Sequence, residues 1–173
     1  MDPRPLDVLQ FERVAARLDI DAREVERVIT EWMMRRPLKH LRLVRRRGLL
    51  QLLSHLAARN IRIGALSDYP VHEKLRALGV ADYFSLGLCT TDREINAFKP
   101  HAKGFQYACE HWGIAPQEVL YVGDRPETDG VGAAAAGIRC VIVGRGGIGH
   151  SGGIDRAAVP AFGELRHAFI VSG

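Results

Sequence analysis

Between residues 60 and 144, short apolar runs alternate with helix-forming stretches, and this alternation limits the fold more than any other feature. Residues 61–66, 83–88, 119–122 and 138–143 are of strand length and rich in Ile, Val, Leu and Tyr. Pro70 can open a helix over 71–78, which Gly79 would close. Gly113 would close a second over 101–112, and Gly137 an Ala-rich third over 130–136. Strands joined through helices need crossovers, so the expectation is an α/β fold with a Rossmann-like parallel sheet.

The first sixty residues read as helices. Leu6, Leu9, Val14 and Leu18 recur at roughly helical spacing. Asp21 and Glu24 are spaced as a capping box, with Ile20 and Val25 at the staple positions, so a second helix should start near Asp21. Val25, Val28, Ile29 and Trp32 would form its apolar face, and Pro37 would end it. A third helix is expected over 41–58, with Leu49, Leu50, Leu52, Leu53 and Leu56 facing inward. Residues 144–153 read as loop. Residues 161–173 suit a last helix or a short strand, and Ala168–Val171 does not decide between them.

Length and composition bound the class. A chain of 173 residues, 47% hydrophobic and 25% charged, suits one globular domain with at most a small appendage. No run approaches the roughly 18 apolar residues of a membrane span, and residues 1–10 lack the layout of a signal peptide. Cys89, Cys109 and Cys140 are odd in number and far apart, which favours a reducing, cytoplasmic setting. The formal net charge is +4, unevenly spread. From Trp32 to Ser67 there are nine bases and no acid: Arg35, Arg36, Lys39, Arg42, Arg45, Arg46, Arg47, Arg59 and Arg62. A solvated helix face accounts for such a stripe, and no zinc-finger, homeodomain or RNP-type pattern accompanies it, so nucleic acid is not the expected partner.

Ligands of open parallel sheets bind beyond the carboxyl ends of the strands. The first strand would end in Ser67, a hydroxyl ahead of a helix start. The third would run into Gly123 and then Asp124 and Asp129, two carboxylates in one loop, hard oxygen donors of the kind Mg²⁺ takes. Lys99, before Pro100, offers a point cation for phosphate. Taken singly, each has an ordinary role as cap, surface or loop residue. Together, at successive strand ends, they describe a phosphate and Mg²⁺ site.

On these residues the chain resembles the haloacid dehalogenase-like (HAD) superfamily of phosphohydrolases. The stretches 64–84, 97–138 and 139–145 look like its second, third and fourth motifs with their usual spacing. The resemblance implies an Mg²⁺-dependent phosphatase acting on a small phosphorylated metabolite through an aspartyl-phosphate. It implies that Ser67, with Asp68 and Lys99, holds the phosphoryl group, that Asp124 binds the metal, and that Asp129 supports that site. It makes 1–40 a partial helical cap and 41–173 the core.

The family's first motif is an apolar strand ending in DxDxT, which supplies the nucleophile, and no such segment is present. Asp19-Ile-Asp21 is the nearest look-alike, but no strand leads into it and Asp21 already serves as a cap. The resemblance therefore implies weak metal binding and low activity for the isolated chain, or else a non-catalytic binding or partner protein. In the family's sheet the missing strand is central. Each buried backbone group left unpaired costs about 1–3 kcal/mol, against a domain stability of about 5–15 kcal/mol. Either the flanking strands close up or something fills the gap: residues upstream, a second polypeptide or protomer, or Ala168–Val171.

Gly144-Arg-Gly-Gly-Ile-Gly149 fits the dinucleotide-binding spacing, but Ser151-Gly-Gly153 follows where a helix should start, so a loop is expected. No histidine stands at a zinc-site spacing, and zinc is not expected.

Overall fold

The computed structural model describes residues 4–144, 147–148 and 167–170. Helices α1 (Leu6–Leu18), α2 (Ala22–Ile29), α3 (Leu38–Leu41) and α4 (Leu49–Ala57) come first. Then follow β1 (Arg62–Ser67), α5 (Val71–Leu78), β2 (Leu86–Cys89), α6 (Lys103–Trp112), β3 (Val119–Gly123), α7 (Val131–Ala135), β4 (Arg139–Gly144), β5 (Gly147–Ile148) and β6 (His167–Ile170). The expected α/β architecture with a parallel sheet is present.

The sheet order is β2-β1-β6-β3-β4-β5. All pairs are parallel except β4 with β5. Its centre is filled from within the chain: β6 pairs with β1 through Gly64↔Phe169 and with β3 through Tyr121↔Phe169. Of the three sources expected for this position, the C-terminal segment occupies it, described over His167–Ile170. Among the described residues the strand ladder runs from β2 to β5 within this one chain.

Side chains alternate across the strands and so build two cores. Val119 and Tyr121 pack with Phe105, Ala108 and Trp112 under α6. Ile61, Ile63 and Ala65 pack with Leu53, Leu56, Val71 and Leu75 under α4 and α5. Leu120 and Val141 form a smaller third cluster on β3 and β4. Helix α5 begins after Pro70 and ends at Gly79, which sits at φ +68° in the left-handed region that the turn requires.

Several expected elements differ. The third helix is not continuous over 41–58. It starts only at Leu49, because Gly48 at φ +84° lies in the left-handed region, which a right-handed helix does not continue through. Leu52 is exposed rather than inward, while Leu53 and Leu56 are buried. Asp21 caps α2 through the N–H of Arg23, at 2.7 Å. Glu24 pairs with Arg27 at 2.6 Å rather than completing a capping box. Only Val25 of the α2 apolar face is buried, and Val28 and Trp32 remain exposed. Within the expected 144–153 loop, Gly147–Ile148 turns back on β4 as an antiparallel strand through Val143↔Ile148. That hairpin stands where a dinucleotide-binding segment would start a helix. The rest of this loop and Val171 lie outside the described residues. The helical N-terminus is tied to the core by Asn96, whose Oδ1 accepts the Leu6 N–H at 2.9 Å and whose Nδ2 donates to the Arg4 carbonyl at 3.1 Å.

Proline in a central strand removes a ladder bond and is tolerated essentially only at sheet edges or bulges. Ala168→Pro should therefore lower the urea midpoint by far more than Leu52→Ala, a change on the exposed side of α4.

Candidate functional site

The β1–β6–β3 register sets the level of the site. Ser67 and Asp124 each lie three residues beyond the rung Gly64–Phe169–Tyr121, so both reach the carboxyl edge of the sheet together. Two strand spacings, about 10 Å, separate their backbones. The side chains between them come from the β2–α6 loop and the loop after β3.

Ser67 is 2% exposed. Its Oγ accepts the Tyr69 N–H at 3.2 Å, and its carbonyl accepts the Thr90 N–H at 2.8 Å. These bonds fix the turn into α5. Asp68 points across to the β2 end. Its Oδ1 accepts the Thr90 hydroxyl at 2.9 Å and the Lys99 N–H at 3.3 Å, and its Oδ2 stands 3.9 Å from Lys99 Nζ.

Lys99 forms the centre. Its side chain is 6% exposed, and Nζ donates to Asp129 Oδ1 at 2.7 Å. Asp129, 1% exposed, spends both carboxylate oxygens. Oδ1 takes Lys99 and the Tyr121 hydroxyl at 3.0 Å; Oδ2 takes the N–H groups of Asp124 at 3.1 Å and Arg125 at 3.2 Å. Burial pushes the Asp129 carboxyl pKa up. The Lys99 hydrogen bond and charge, with the two backbone N–H bonds, outweigh it and hold the pKa below the usual aspartate range. Burial raises the Tyr121 phenol pKa far above its ordinary value, and the Asp129 charge adds to this, so the phenol stays a protonated donor.

Gly123 makes this approach possible. A Cβ there would lie 2.5 Å from Asp129 Cβ and Oδ2, closer than any real contact. Asp124, by contrast, is exposed, and among the described residues its side chain has no hydrogen bond or ion pair.

The structure thus brings Asp68, Lys99 and Asp129 into one connected network. It sets Ser67 beside that network and leaves Asp124 free at its outer edge. Tyr121 and Thr90 belong to the same network and were not singled out from the sequence. The phenol in the otherwise apolar run 119–122 and the threonine just past the second strand were the available signals.

The fit to Mg²⁺ follows from the donor set. The ion takes six oxygens in near-octahedral geometry. Asp124 offers one free carboxylate, and Asp129 has no oxygen to spare. Among the described residues no group of three or more His, Cys, Asp or Glu is placed to hold a metal. These residues do not form a resident Mg²⁺ site.

Two outcomes follow. Gly123→Ala should push Asp129 off Lys99 and cost several-fold or more in ligand affinity, read by calorimetry, with the fold kept by circular dichroism. The depressed Asp129 pKa contributes stability that is fully present above the unfolded value of about 3.9. That stability is lost as pH falls through the lower folded value, so Asp129→Asn should flatten the acid limb of a stability–pH profile below about pH 4.

The haloacid dehalogenase-like hydrolase family model matches residues 9–137. The Thermus thermophilus phosphoserine phosphatase is 43% identical over 74 residues, which is 43% of this chain and 29% of that protein. The Escherichia coli phosphoglycolate phosphatase is 37% identical over 95 residues, 53% of this chain and 36% of that protein. The match therefore spans about a third of the length of these curated relatives. A HAD-superfamily hydrolase of subfamily IA from Geobacter sulfurreducens shares the fold, with a TM-score of 0.58, 21% identity and 82% of each chain covered. With three quarters of its length inside the family match and a parallel sheet of the same kind, this chain belongs to the haloacid dehalogenase-like hydrolases.

Proposed function

We propose that the chain is a phosphatase-type protein whose ligand is a small phosphorylated metabolite, and that by itself it turns that ligand over slowly. The observation that carries this is the Lys99 ammonium, fixed 2.7 Å from Asp129 at a rim that also holds Ser67 and Asp68. An ammonium has three donors. Asp129 takes one and the Tyr121 oxygen, at 3.4 Å, faces another, which leaves one for a phosphoryl oxygen. The Ser67 hydroxyl would give a second hydrogen bond.

Asp68, Asp124 and Asp129 set three carboxylates against the Lys99 charge, so a phosphate dianion calls for further positive charge. Mg²⁺ would arrive weakly and with the ligand. Asp124 would supply the free carboxylate, and Asp129 would support it by holding the N–H of residue 124. Residues 1–40 would act as a partial cap over this edge, with 41–173 as the core. The phosphoserine and phosphoglycolate phosphatases among the relatives support a small phosphorylated substrate. The three free cysteines and the absence, among the described residues, of a helix able to cross a membrane support a cytoplasmic setting.

A second reading is favoured by one specific observation: the sequence holds no DxDxT segment to provide a nucleophile. The chain would then bind phosphorylated ligands, or pair with another protein, without catalysis.

Calorimetry with inorganic phosphate and hydrolysis of an aryl phosphate test both readings. Phosphate binding should weaken at least tenfold in Lys99→Ala and several-fold in Ser67→Ala, which leaves the buried pair intact. Slow hydrolysis that Mg²⁺ stimulates and Asp124→Ala removes supports the phosphatase. Binding without detectable hydrolysis selects the second reading in its ligand-binding form, and no binding at all rejects the phosphatase and that form alike, leaving only pairing with another protein.

A further inference from the structure

The basic run around residues 45–47 has no part in the phosphate rim, yet it lines a cavity beside it. The cavity measures about 500 Å³, a size typical of small-molecule sites. It lies between the segment before α4, the helices α4 and α5, and the carboxyl ends of β3 and β4. Much of its wall is apolar, including Leu49, Leu52, Leu78, Val80, Phe84 and Val122. Its charged lining is Arg45, Arg46, Arg47 and Lys74 against Asp124.

These cations differ in how they are committed. Arg45 donates to the Leu78 carbonyl at 2.8 Å and so ties the arginine segment to α5. Arg46 and Arg47 are exposed and, among the described residues, their side chains have no hydrogen bond or ion pair. The first turn of α4, which follows at Gly48–Leu49, has no acidic residue and no side-chain cap, so its N–H ends add to the positive side. Clustered like charges repel one another, and an anion in their midst relieves that repulsion.

The cavity also meets the phosphate rim. Asp124 borders both. The Lys74 ammonium lies 5.1 Å over the Tyr69 ring, and Tyr69 donates its N–H to Ser67. A ligand with its phosphoryl group at Lys99 would direct the remainder of its structure past Asp124 and Lys74.

We propose that this cavity is the subsite for the non-phosphorylated part of the ligand, and that it selects an apolar body bearing a second anionic group opposite Arg46 and Arg47. The proposal rests on the phosphate-rim reading for its link to the substrate, but the cavity can be probed separately. The probe is 2-naphthoate, an apolar body with one carboxylate. Its neutral control is 2-naphthamide, and inorganic phosphate reports the rim. Each is titrated calorimetrically into the full chain, into the double variant Arg46→Ala/Arg47→Ala and into Lys99→Ala. Both arginines are exposed and their side chains make no described bonds, so truncating them should leave the fold intact, which the thermal midpoint checks.

Naphthoate should bind wild type at least fivefold more tightly than naphthamide. The double variant should erase that preference while leaving phosphate binding within twofold. Lys99→Ala should weaken phosphate at least tenfold and leave naphthoate within twofold, and the two ligands should bind together. Absent naphthoate binding, equal affinity for the amide, a preference that survives the double variant, or competition with phosphate would each overturn the proposal. If naphthoate behaves as expected but phosphate does not bind, the phosphate-rim reading falls and the link to a phosphorylated substrate falls with it, while the cavity stands as an apolar-anion site.

Discussion

The Lys99–Asp129 pair organises the carboxyl edge of the sheet. Taking both charges out of water is costly, and such a pair contributes little net stability compared with apolar groups of the same size. Its value is positional. Removing one partner leaves a buried charge uncompensated, at about 3–5 kcal/mol, so each group enforces the position of the other. Through Asp129 Oδ2 the pair also holds the backbone after β3, and that determines where Asp124 stands. Tyr121 fills the last acceptor site of Asp129 from below. Gly123 is the condition for all of it, since any side chain there would occupy the space of the carboxylate.

The second constraint is the central slot of the sheet. The strands bearing Ser67 and Gly123 are adjacent in function but not in the ladder, because β6 lies between them. Its pairing on both sides fixes their relative height, and with it the level at which Ser67 and Asp124 emerge. The site thus depends on a strand that begins 43 residues beyond Asp124, the last residue whose level it sets. Acidic groups gather at this edge while bases line the neighbouring cavity. The two surfaces meet at Asp124 and Lys74.

Local signals read well where they were complete within a few residues. Pro70 and Gly79 bracket α5 as expected, because ring geometry at one end and a left-handed turn at the other are decided by the chain itself. Gly113 likewise ends α6 at a positive φ. The reading of 41–58 as one helix failed because periodicity of leucines does not register a left-handed Gly48 behind three arginines. Leu52 was assigned inward from spacing alone, but burial depends on which neighbouring element covers that face, and none of the described elements covers it fully. Thr90 and Tyr121 were passed over for a similar reason. A threonine after a strand and a tyrosine inside one are ordinary residues until a remote carboxylate is brought to their hydroxyls.

The sequence by itself determined the alternation of strand and helix, the glycine-closed helix ends, and the polar residues offered as candidates for a phosphoryl group, Ser67, Asp68 and Lys99, and for a metal, Asp124 and Asp129. These follow from backbone sterics and side-chain chemistry, which act within a few residues. Only the tertiary structure decided that His167–Ile170 takes the centre of the sheet and that Asp129 turns inward to Lys99 while Asp124 stays free. It also decided that the arginine run borders a cavity rather than open solvent alone. Strand order, carboxylate pairing and cavity walls are set by contacts between segments distant in the chain, and their energies exist only once those segments have met.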